Sequence, residues 1–198
     1  MPHFKSIEGD IQTEVLIIGG GMAYTFLKAK GLEVGKSLVD DEKIEYCKEM
    51  MDKAEKLGKK LLLPVDTVVA ASFPDPIDAE IETKVVDATA IPADMEGLDI
   101  GPKTAEMFAA EVKAAKTVVW NGPMGVFENP TLAAGTNAVA KALSEAEGTT
   151  IIGGGDSAAA IKKLGYADKV SHVSTGGGAS LEFLEGKGLP GVDIIEEK

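Results

Sequence analysis

The sequence is poor in the residues that mark secreted, zinc-binding and nucleic-acid-binding proteins. Cys47 is the only cysteine among 198 residues, so an internal disulfide is excluded and the composition fits a reducing compartment. The two histidines, His3 and His172, lie far apart, which argues against a tetrahedral zinc site. The formal net charge of −12 disfavours a nucleic-acid backbone as a partner, because phosphates bind basic surfaces.

Long apolar runs are also missing. No stretch of the sequence is long and apolar enough to span a membrane, and residues 1–14 lack the pattern of a signal peptide. The hydrophobic fraction is 44% and the charged fraction is 26%, which is ordinary for a globular domain. We therefore expect a cytoplasmic protein with no membrane partner. We also expect the chain to be a monomer.

Predicted strands alternate with predicted helices along most of the chain. Apolar, β-branched segments such as residues 15–18 and 117–120 are separated by segments of helical period. This alternation predicts an α/β fold, a Rossmann-like three-layer domain with a mainly parallel sheet and helices on both faces. It predicts one domain over residues 15–198, preceded by a lead-in of residues 1–14 that has no clear periodicity.

Three local predictions concern the first half of the domain. Residues 61–65 are predicted as a buried strand with Asp66 just past its end, where capping or turn chemistry is favoured over a ligand contact. Residues 91–102 are predicted as a loop. Cys47 lies on the apolar face of a predicted helix over residues 40–57, where a small half-buried side chain is the favoured interpretation.

Three predicted strands end in a run of three glycines followed by a predicted helix. The runs are Gly19, Gly20 and Gly21 (the first glycine corner), Gly153, Gly154 and Gly155 (the second glycine corner), and Gly176, Gly177 and Gly178 (the third glycine corner). Glycine lets a ligand approach the backbone, and the free amides of a first helical turn favour an anion. Ligands of open α/β sheets bind outside the carboxyl ends of the strands. The three corners therefore predict a phosphate-binding edge of one sheet.

Asp156 and Ser157 follow the second glycine corner directly. Asp156 is predicted as the N-cap of the following helix, and its carboxylate is also a hard oxygen ligand of the kind that Mg²⁺ takes alongside phosphate oxygens. The alternative is a plain tight turn with a capping aspartate, and this segment by itself leaves both interpretations open.

Residues 121–128, NGPMGVFE (the 121–128 loop), follow another predicted strand. Gly122 and Gly125 would allow a ligand to approach the backbone, and Glu128 could accept hydrogen bonds from a ribose diol. Pro123, Val126 and Phe127 would offer apolar surface to a planar ring. The alternative is an ordinary connecting loop in which Phe127 fills the core.

Two familiar nucleotide motifs are not matched. The spacing G-x-G-x-x-G fails at every glycine corner, which disfavours a dehydrogenase. Residues 31–37, GLEVGKS, have three residues between their glycines where a P-loop has four, and they follow a predicted helix. They are predicted as a turn with Lys36 in solvent.

The motifs together resemble the phosphoglycerate kinase family. The resemblance rests on VVWNGPMGVFE, IIGGGDSA and HVSTGGGASLEFLEG, and on LIIGGGMAYTFLKA, GKSLV, LPVD, LDIGPKT and LPGVD in the same order. It runs from about Val15 to Val192 and covers only the C-terminal, nucleotide-binding half of that enzyme. The family's phosphate-binding lysine segment has no match in residues 1–14, where Lys5 is the only lysine.

Carried over by position, the resemblance implies roles for the following residues. The adenine pocket would be formed by Gly19, Gly20, Gly21, Gly101 and Val126. The phosphates and ribose would lie along Asn121 and Pro123, Glu128 would bind the ribose hydroxyls, and Gly125 would also belong to the nucleotide site. The second glycine corner would approach the nucleotide, Asp156 would hold Mg²⁺ and Ser157 would contact phosphate. Gly176, Gly177 and Gly178 would offer amides to the transferred phosphoryl group.

The resemblance also implies a glycolytic reaction, phosphoryl transfer between 1,3-bisphosphoglycerate and ADP that gives 3-phosphoglycerate and ATP. The family's arginine is not in this chain, which contains no arginine at all, and the 3-phosphoglycerate site belongs to the family's other half. We therefore expect weak binding of MgADP or MgATP and no turnover by the chain alone, with a separate N-terminal half as a possible partner. The alternative is a non-catalytic nucleotide-binding or interaction module.

Overall fold

The computed structural model of the chain describes residues 14–174 together with residues 176, 179, 182, 187 and 188. Within these residues it has five α-helices and eight strands. In chain order they are β1 (Val15–Ile17), α1 (Met22–Ala29), α2 (Ile44–Lys56), β2 (Lys60–Leu62), β3 (Asp66–Ala70), β4 (Lys84–Asp87), β5 (Glu96–Ile100), α3 (Pro102–Ala114), β6 (Thr117–Trp120), α4 (Ala134–Glu145), β7 (Thr149–Gly153), α5 (Gly155–Lys163) and β8 (His172–Ser174). Short 3₁₀ turns precede α2, α4 and β8.

The parallel strands form two sheets. β1 pairs with β2, and β7 pairs with β6 on one side and with β8 on the other, in each case parallel. A helix separates each of these pairs along the chain, because parallel neighbours need a long crossover connection. The predicted α/β fold class is confirmed, with the parallel strands divided between two sheets instead of one.

The strands between α2 and α3 form a third, antiparallel sheet in the order β4-β3-β5. β5 occupies part of the region predicted as a loop, so that prediction is wrong there. The predicted strand over residues 61–65 ends at Leu62, and β3 begins at Asp66. Pairing with β3 overrides the weak strand propensity of Gly97 and Asp99 in β5.

Buried apolar side chains lie between the helices and the sheets. The largest cluster contains Phe108 and Val112 of α3, Val139 and Leu143 of α4, Trp120 of β6, Ile152 of β7 and Ile161 of α5. Burying a side chain of this size is worth about 1.5–3 kcal/mol, so this cluster fixes α3, α4 and α5 around β6 and β7. Cys47 is 3% exposed and packs in a separate apolar cluster, so it is a small apolar core residue as predicted, but it is buried instead of half-buried.

Two buried carboxylates in the antiparallel sheet accept hydrogen bonds from the first turns of helices. Asp66 accepts from the backbone N–H groups of Lys103 and Thr104, at 3.1 and 2.8 Å, at the start of α3. Asp99 accepts from the N–H of Gly135, at 2.7 Å, at the start of α4. Capping chemistry at Asp66 is therefore confirmed. Both helices are fixed to the sheet by contacts that satisfy otherwise free amides.

The remaining structural predictions concern turns and the membrane. Residues 35–36 form a turn, with Gly35 at φ +58° and Lys36 exposed, as predicted for the segment that resembles a P-loop. The longest helices, α2 and α3, have 13 residues each. In the described part of the chain, no helix is long and apolar enough to cross a membrane.

Candidate functional site

The first glycine corner lies against the 121–128 loop. A Cβ atom on Gly20 would lie 2.7 Å from the carbonyl oxygen of Pro123, and one on Gly19 would overlap the sulfur of Met124. Gly20 also has φ +61°, a conformation that glycine adopts without steric cost. The segment after β1 therefore packs on the segment after β6, because glycine leaves room for the loop. β1 belongs to a different sheet from β6, β7 and β8, so the prediction that all three glycine corners lie on the edge of one sheet is wrong for the first corner.

A hydrogen bond joins the 121–128 loop to the second glycine corner. The backbone N–H of Gly122 donates to the side-chain oxygen of Ser157 at 2.6 Å. The register of β6 and β7 places Trp120 beside Ile152, so the segments that follow these strands emerge side by side. The Ser157 side chain is 1% exposed, and its acceptor capacity is directed to the loop.

The third glycine corner begins beside the second. Gly153 of β7 is in register with Ser174 of β8, and the N–H of Gly176 donates to the side-chain oxygen of Ser174 at 3.2 Å. Gly177 and Gly178 lie outside the described residues. Gly176 therefore lies two residues beyond Ser174, the residue that pairs with Gly153, and the phosphate-binding role of the third corner stays a prediction.

α5 begins at Gly155, and Gly154 occupies the N-cap position with φ +93°. The prediction that Asp156 is the N-cap is therefore wrong, because the positive φ of Gly154 starts the helix two residues earlier. Asp156 lies in the first turn of α5 and is exposed. It forms no ion pair with another described residue. Its carboxylate is thus available at the end of the helix where backbone amides point outward.

Hydrogen bonds from the backbone amides of the 121–128 loop connect it to α4 and β5. The N–H groups of Met124 and Gly125 donate to the side-chain oxygen of Thr136 in α4, at 3.0 and 3.3 Å. The N–H of Val126 donates to the carbonyl oxygen of Leu98 in β5 at 3.0 Å. These contacts leave Asn121 exposed, and Pro123, Gly125, Val126 and Glu128 partly exposed.

Phe127 does not present a surface to a ligand. It is 7% exposed and belongs to the main apolar cluster, so the alternative in which it fills the core is the correct one. Lys163 of α5 was not identified from the sequence. Its ammonium group donates to the carbonyl oxygens of Glu128 and Phe127, at 2.9 and 3.4 Å, and lies 5.9 Å from the Phe127 ring centroid. α5 therefore holds the end of the loop as well as carrying Asp156.

Exposed apolar side chains at the first glycine corner were also missed. Leu38 is 75% exposed and Met22 is 64% exposed, and a Cβ on Gly21 would lie 3.2 Å from a methyl group of Leu38. Such side chains beside an open glycine backbone can contact a planar apolar group. The sequence feature that could have predicted this surface is the apolar residue Leu38 in a segment without helical or strand periodicity.

Gly101 has a different environment from the other predicted site residues. It is buried at the N-cap of α3, where a Cβ would overlap the carboxylate of Asp66. It lines a groove of about 580 Å³ between α3 and α4, which otherwise includes Ala105, Ala134 and Ala138. Among the described residues, none of the other predicted nucleotide-binding residues lines this groove. Gly101 thus has a packing role that accounts for the absence of a side chain.

Protein ligands for a metal are few at this edge. No group of three His, Cys, Asp or Glu side chains suited to hold a metal ion occurs in the described part of the chain. Mg²⁺ is commonly held by one or two carboxylates together with substrate phosphates and water, and the exposed carboxylate of Asp156 is a ligand of that kind.

Comparison with known proteins identifies relatives over nearly the whole chain. The family model for phosphoglycerate kinase matches residues 9–187, so the matched range begins before the first recognised motif at Val15. Phosphoglycerate kinase of Clostridium novyi (strain NT) is 60% identical over 187 residues. The phosphoglycerate kinase of Clostridium tetani (strain Massachusetts / E88) is 56% identical over the same length. Each alignment covers 94% of this chain and 46% of the relative.

Solved structures match a similar share of the chain. The structure of phosphoglycerate kinase from Coxiella burnetii has a TM-score of 0.86 and 41% identity, covering 92% of this chain and 46% of that one. The phosphoglycerate kinase of Pyrococcus horikoshii OT3 has a TM-score of 0.75 and 32% identity, covering 91% and 44%. The chain therefore spans about half the length of the relatives that it matches.

Proposed function

The chain belongs to the phosphoglycerate kinase family, and on that premise we propose that it is the C-terminal, nucleotide-binding half of such an enzyme, over residues 15–198. The proposed ligand is MgADP or MgATP. The observation that carries the proposal is the hydrogen bond from Gly122 to Ser157. Together with the packing of Gly20 on Pro123, it unites three segments that follow parallel strands, where α/β folds bind ligands.

The chemistry of the edge suits an adenine nucleotide. Leu38 and Val126 supply apolar surface for a base, and Glu128 supplies a carboxylate for the ribose hydroxyls. The free amides at the start of α5 and the second glycine corner suit the phosphates. We assign the amides of Gly176, Gly177 and Gly178 to the phosphoryl group, as the family resemblance implies.

Asp156 is the proposed ligand of Mg²⁺. Its exposed carboxylate in the first turn of α5 would bind the cation from the protein side, and phosphate oxygens and water would complete the shell. The bound cation supplies charge neutralisation to the phosphates, which matters in this chain because its net charge of −12 repels a polyphosphate.

The proposed reaction of the complete protein is phosphoryl transfer between 1,3-bisphosphoglycerate and ADP. Such a transfer depends on positioning and on charge stabilisation more than on covalent help from the protein. The chain covers 46% of its relatives, and we place the 3-phosphoglycerate site in the uncovered part. The same contacts would also serve a second candidate function, a module that binds nucleotide without catalysis. In both cases we expect the chain alone to bind nucleotide weakly.

The test combines calorimetry with a coupled kinase assay on the purified chain. ADP is titrated with and without Mg²⁺, and the assay is run with and without a separately produced polypeptide matching the uncovered half of the relatives. We expect weak Mg-dependent binding, and turnover only when both polypeptides are present. Absence of ADP binding would refute the proposed function, and binding without turnover in the mixture would favour the non-catalytic module.

An Asp156→Asn variant tests the metal assignment in the same titration. An amide is a poorer ligand than a carboxylate for a hard cation, so MgADP affinity should fall more than the affinity for metal-free ADP. Asp52→Asn, on an exposed position of α2, is the control for the loss of one negative charge. Equal losses with and without Mg²⁺ would assign Asp156 to helix stabilisation instead.

A further inference from the structure

Asp99 is a buried carboxylate that the proposed nucleotide contacts do not include. It is 1% exposed, and in the described part of the chain no lysine or histidine forms an ion pair with it. Burial raises the pKa of Asp99 to about 7, because the charged form is desolvated. A carboxylate in such a place costs free energy unless hydrogen bonds satisfy it, so its partners indicate what it holds in place.

One side of Asp99 faces α4. Its Oδ2 atom accepts from the N–H of Gly135 at 2.7 Å, and its Oδ1 atom accepts from the N–H of Ile100 at 2.9 Å. The N-cap residue of α4 is Ala133, whose side chain accepts no hydrogen bond. Asp99 therefore supplies, from β5, the acceptor that a local N-cap side chain would normally provide.

The other side of Asp99 faces the 121–128 loop. A Cβ atom on Gly125 or on Gly135 would overlap the Asp99 carboxylate, so the loop and the helix both pack directly on it. Thr136, the residue after Gly135, is 0% exposed and accepts hydrogen bonds from the N–H groups of Met124 and Gly125. Thr136, which holds the loop, thus directly follows Gly135, whose amide is held by the Asp99 carboxylate.

We propose that Asp99 is a positioning residue for the 121–128 loop and acts through Gly135 and Thr136 at the start of α4. Both carboxylate oxygens are needed, since each accepts from a different backbone amide. Asparagine keeps one acceptor oxygen and presents an NH₂ group to the second amide. In Asp99→Asn, either Gly135 or Ile100 loses its acceptor, and the start of α4 is no longer fixed in place under the loop.

Asp66 offers a matched control because it has the same local chemistry. It is 3% exposed, lies in the same sheet and accepts from the first-turn amides of α3. In the described part of the chain, its carboxylate accepts hydrogen bonds from Lys103 and Thr104 of α3 and from no residue of the 121–128 loop. Asp66→Asn therefore reports the cost of breaking a buried helix cap, whereas Asp99→Asn adds any effect that is specific to the loop.

The first experiment measures amide hydrogen exchange of the full chain without a ligand. In Asp99→Asn we expect protection at Met124 and Gly125 to fall by about tenfold, which corresponds to about 1.4 kcal/mol. In Asp66→Asn we expect protection of those two amides to change no more than that of the chain in general. Unchanged protection at Met124 and Gly125 in folded Asp99→Asn would overturn the proposal, and so would equal losses in both variants.

A second pair of variants tests the contact between Thr136 and the loop. It keeps the proposal falsifiable where Asp99→Asn fails to fold. Thr136→Val keeps the shape of the side chain and removes the hydroxyl acceptor, whereas Thr136→Ser retains it. We expect the valine variant to expose the Met124 and Gly125 amides to exchange and the serine variant to keep them protected. Retained protection in Thr136→Val would show that the loop is held in another way and would overturn the proposal.

Nucleotide titration then tests the consequence for binding, which rests on the proposed function. If the wild-type chain binds ADP, we expect a weaker affinity in Asp99→Asn by at least the factor seen in exchange, and a smaller change in Asp66→Asn. A wild-type chain that does not bind ADP would contradict the proposed function, while the exchange data would still decide the positioning role. Exposure of the loop amides with unchanged ADP affinity would overturn the role in binding.

Discussion

The backbone N–H of Gly122 donates to the side-chain oxygen of Ser157 at 2.6 Å, which joins two segments that are 35 residues apart. Gly122 has φ +114°, and Ser157 is buried in the first turns of α5. The hydroxyl oxygen accepts from the loop, so the Ser157 side chain, which is 1% exposed, holds the 121–128 loop against the start of α5.

Ser157→Ala should lower both the stability of the chain and its affinity for ADP. Leaving a buried amide without a partner costs about 1–3 kcal/mol, and we expect the lower end of this range because Gly122 is only partly buried. Ser144→Ala is the control, since the Ser144 hydroxyl donates to the Lys141 carbonyl in an exposed position. Urea unfolding and ADP titration check both variants. Equal, small effects in the two would mean that the Gly122 contact does not position the loop.

Gly20→Ala should be more damaging than Gly58→Ala. Both glycines have nearly the same backbone conformation, with φ +61° and +64°, so both substitutions should incur about 1–2 kcal/mol of backbone strain. A Cβ on Gly20 would also meet the Pro123 carbonyl at 2.7 Å, whereas one on Gly58 meets nothing within 4 Å. We expect the extra loss in unfolding free energy, and the loss of ADP affinity, only for Gly20→Ala. Identical unfolding curves would contradict the packing of the first corner on the loop.

Lys163→Met should weaken ADP binding more than Lys162→Met does. Each variant removes one positive charge from α5, so long-range electrostatic effects are matched. Only Lys163 donates to the carbonyl oxygens of Glu128 and Phe127, and a net contribution of about 0.5–1 kcal/mol corresponds to roughly a two- to fivefold change in affinity. Calorimetry with ADP measures the difference. Equal affinities for the two variants would show that Lys163 does not order the loop around Glu128.

Asp99 should make the chain less stable as the pH rises from about 4 to about 7. Burial raises its pKa in the folded state to about 7, above the usual value of an aspartate, so in this interval the folded state binds more protons than the unfolded state. The free energy of unfolding then decreases with pH and is flat above the folded pKa. Burial, and to a smaller extent the charge of Asp99, raises the pKa of Tyr24 to about 12, so Tyr24 stays neutral throughout.

Urea unfolding of the wild-type chain and of Asp99→Asn across this range measures the effect. Subtracting the two curves removes the contribution of all other titrating groups. We expect the wild-type chain to lose stability relative to the variant as the pH approaches 7, and no further change above that value. A difference that is constant across the whole range would show that Asp99 is already ionised in the folded chain at acid pH.

Local signals were sufficient for the parallel part of the fold. β1, β6 and β7 are short apolar segments next to glycine, and α2, α3 and α4 have regular amphipathic or alanine-rich patterns between clear ends, so local pattern and tertiary packing agree. The glycine corners followed from the same logic, because backbone room after a parallel strand is needed only where something approaches. The second and third corners follow neighbouring strands of one sheet, as that logic predicted, whereas the first corner follows a strand of another sheet.

Tertiary contacts decided the remainder. Glu96, Gly97 and Asp99 are poor strand formers, and β5 exists because it pairs with β3 and because α4 supplies an amide to Asp99 from 36 residues further along the chain. The sequence around Phe127 does not distinguish a side chain that faces a ligand from one that fills the core. Only the packing of α4 and α5 determined that Phe127 is buried. Hydrophobic pattern and glycine position thus determined which segments form the edge. The partners of each polar and aromatic side chain depended on residues distant in sequence, because burial and hydrogen bonding are properties of the assembled structure.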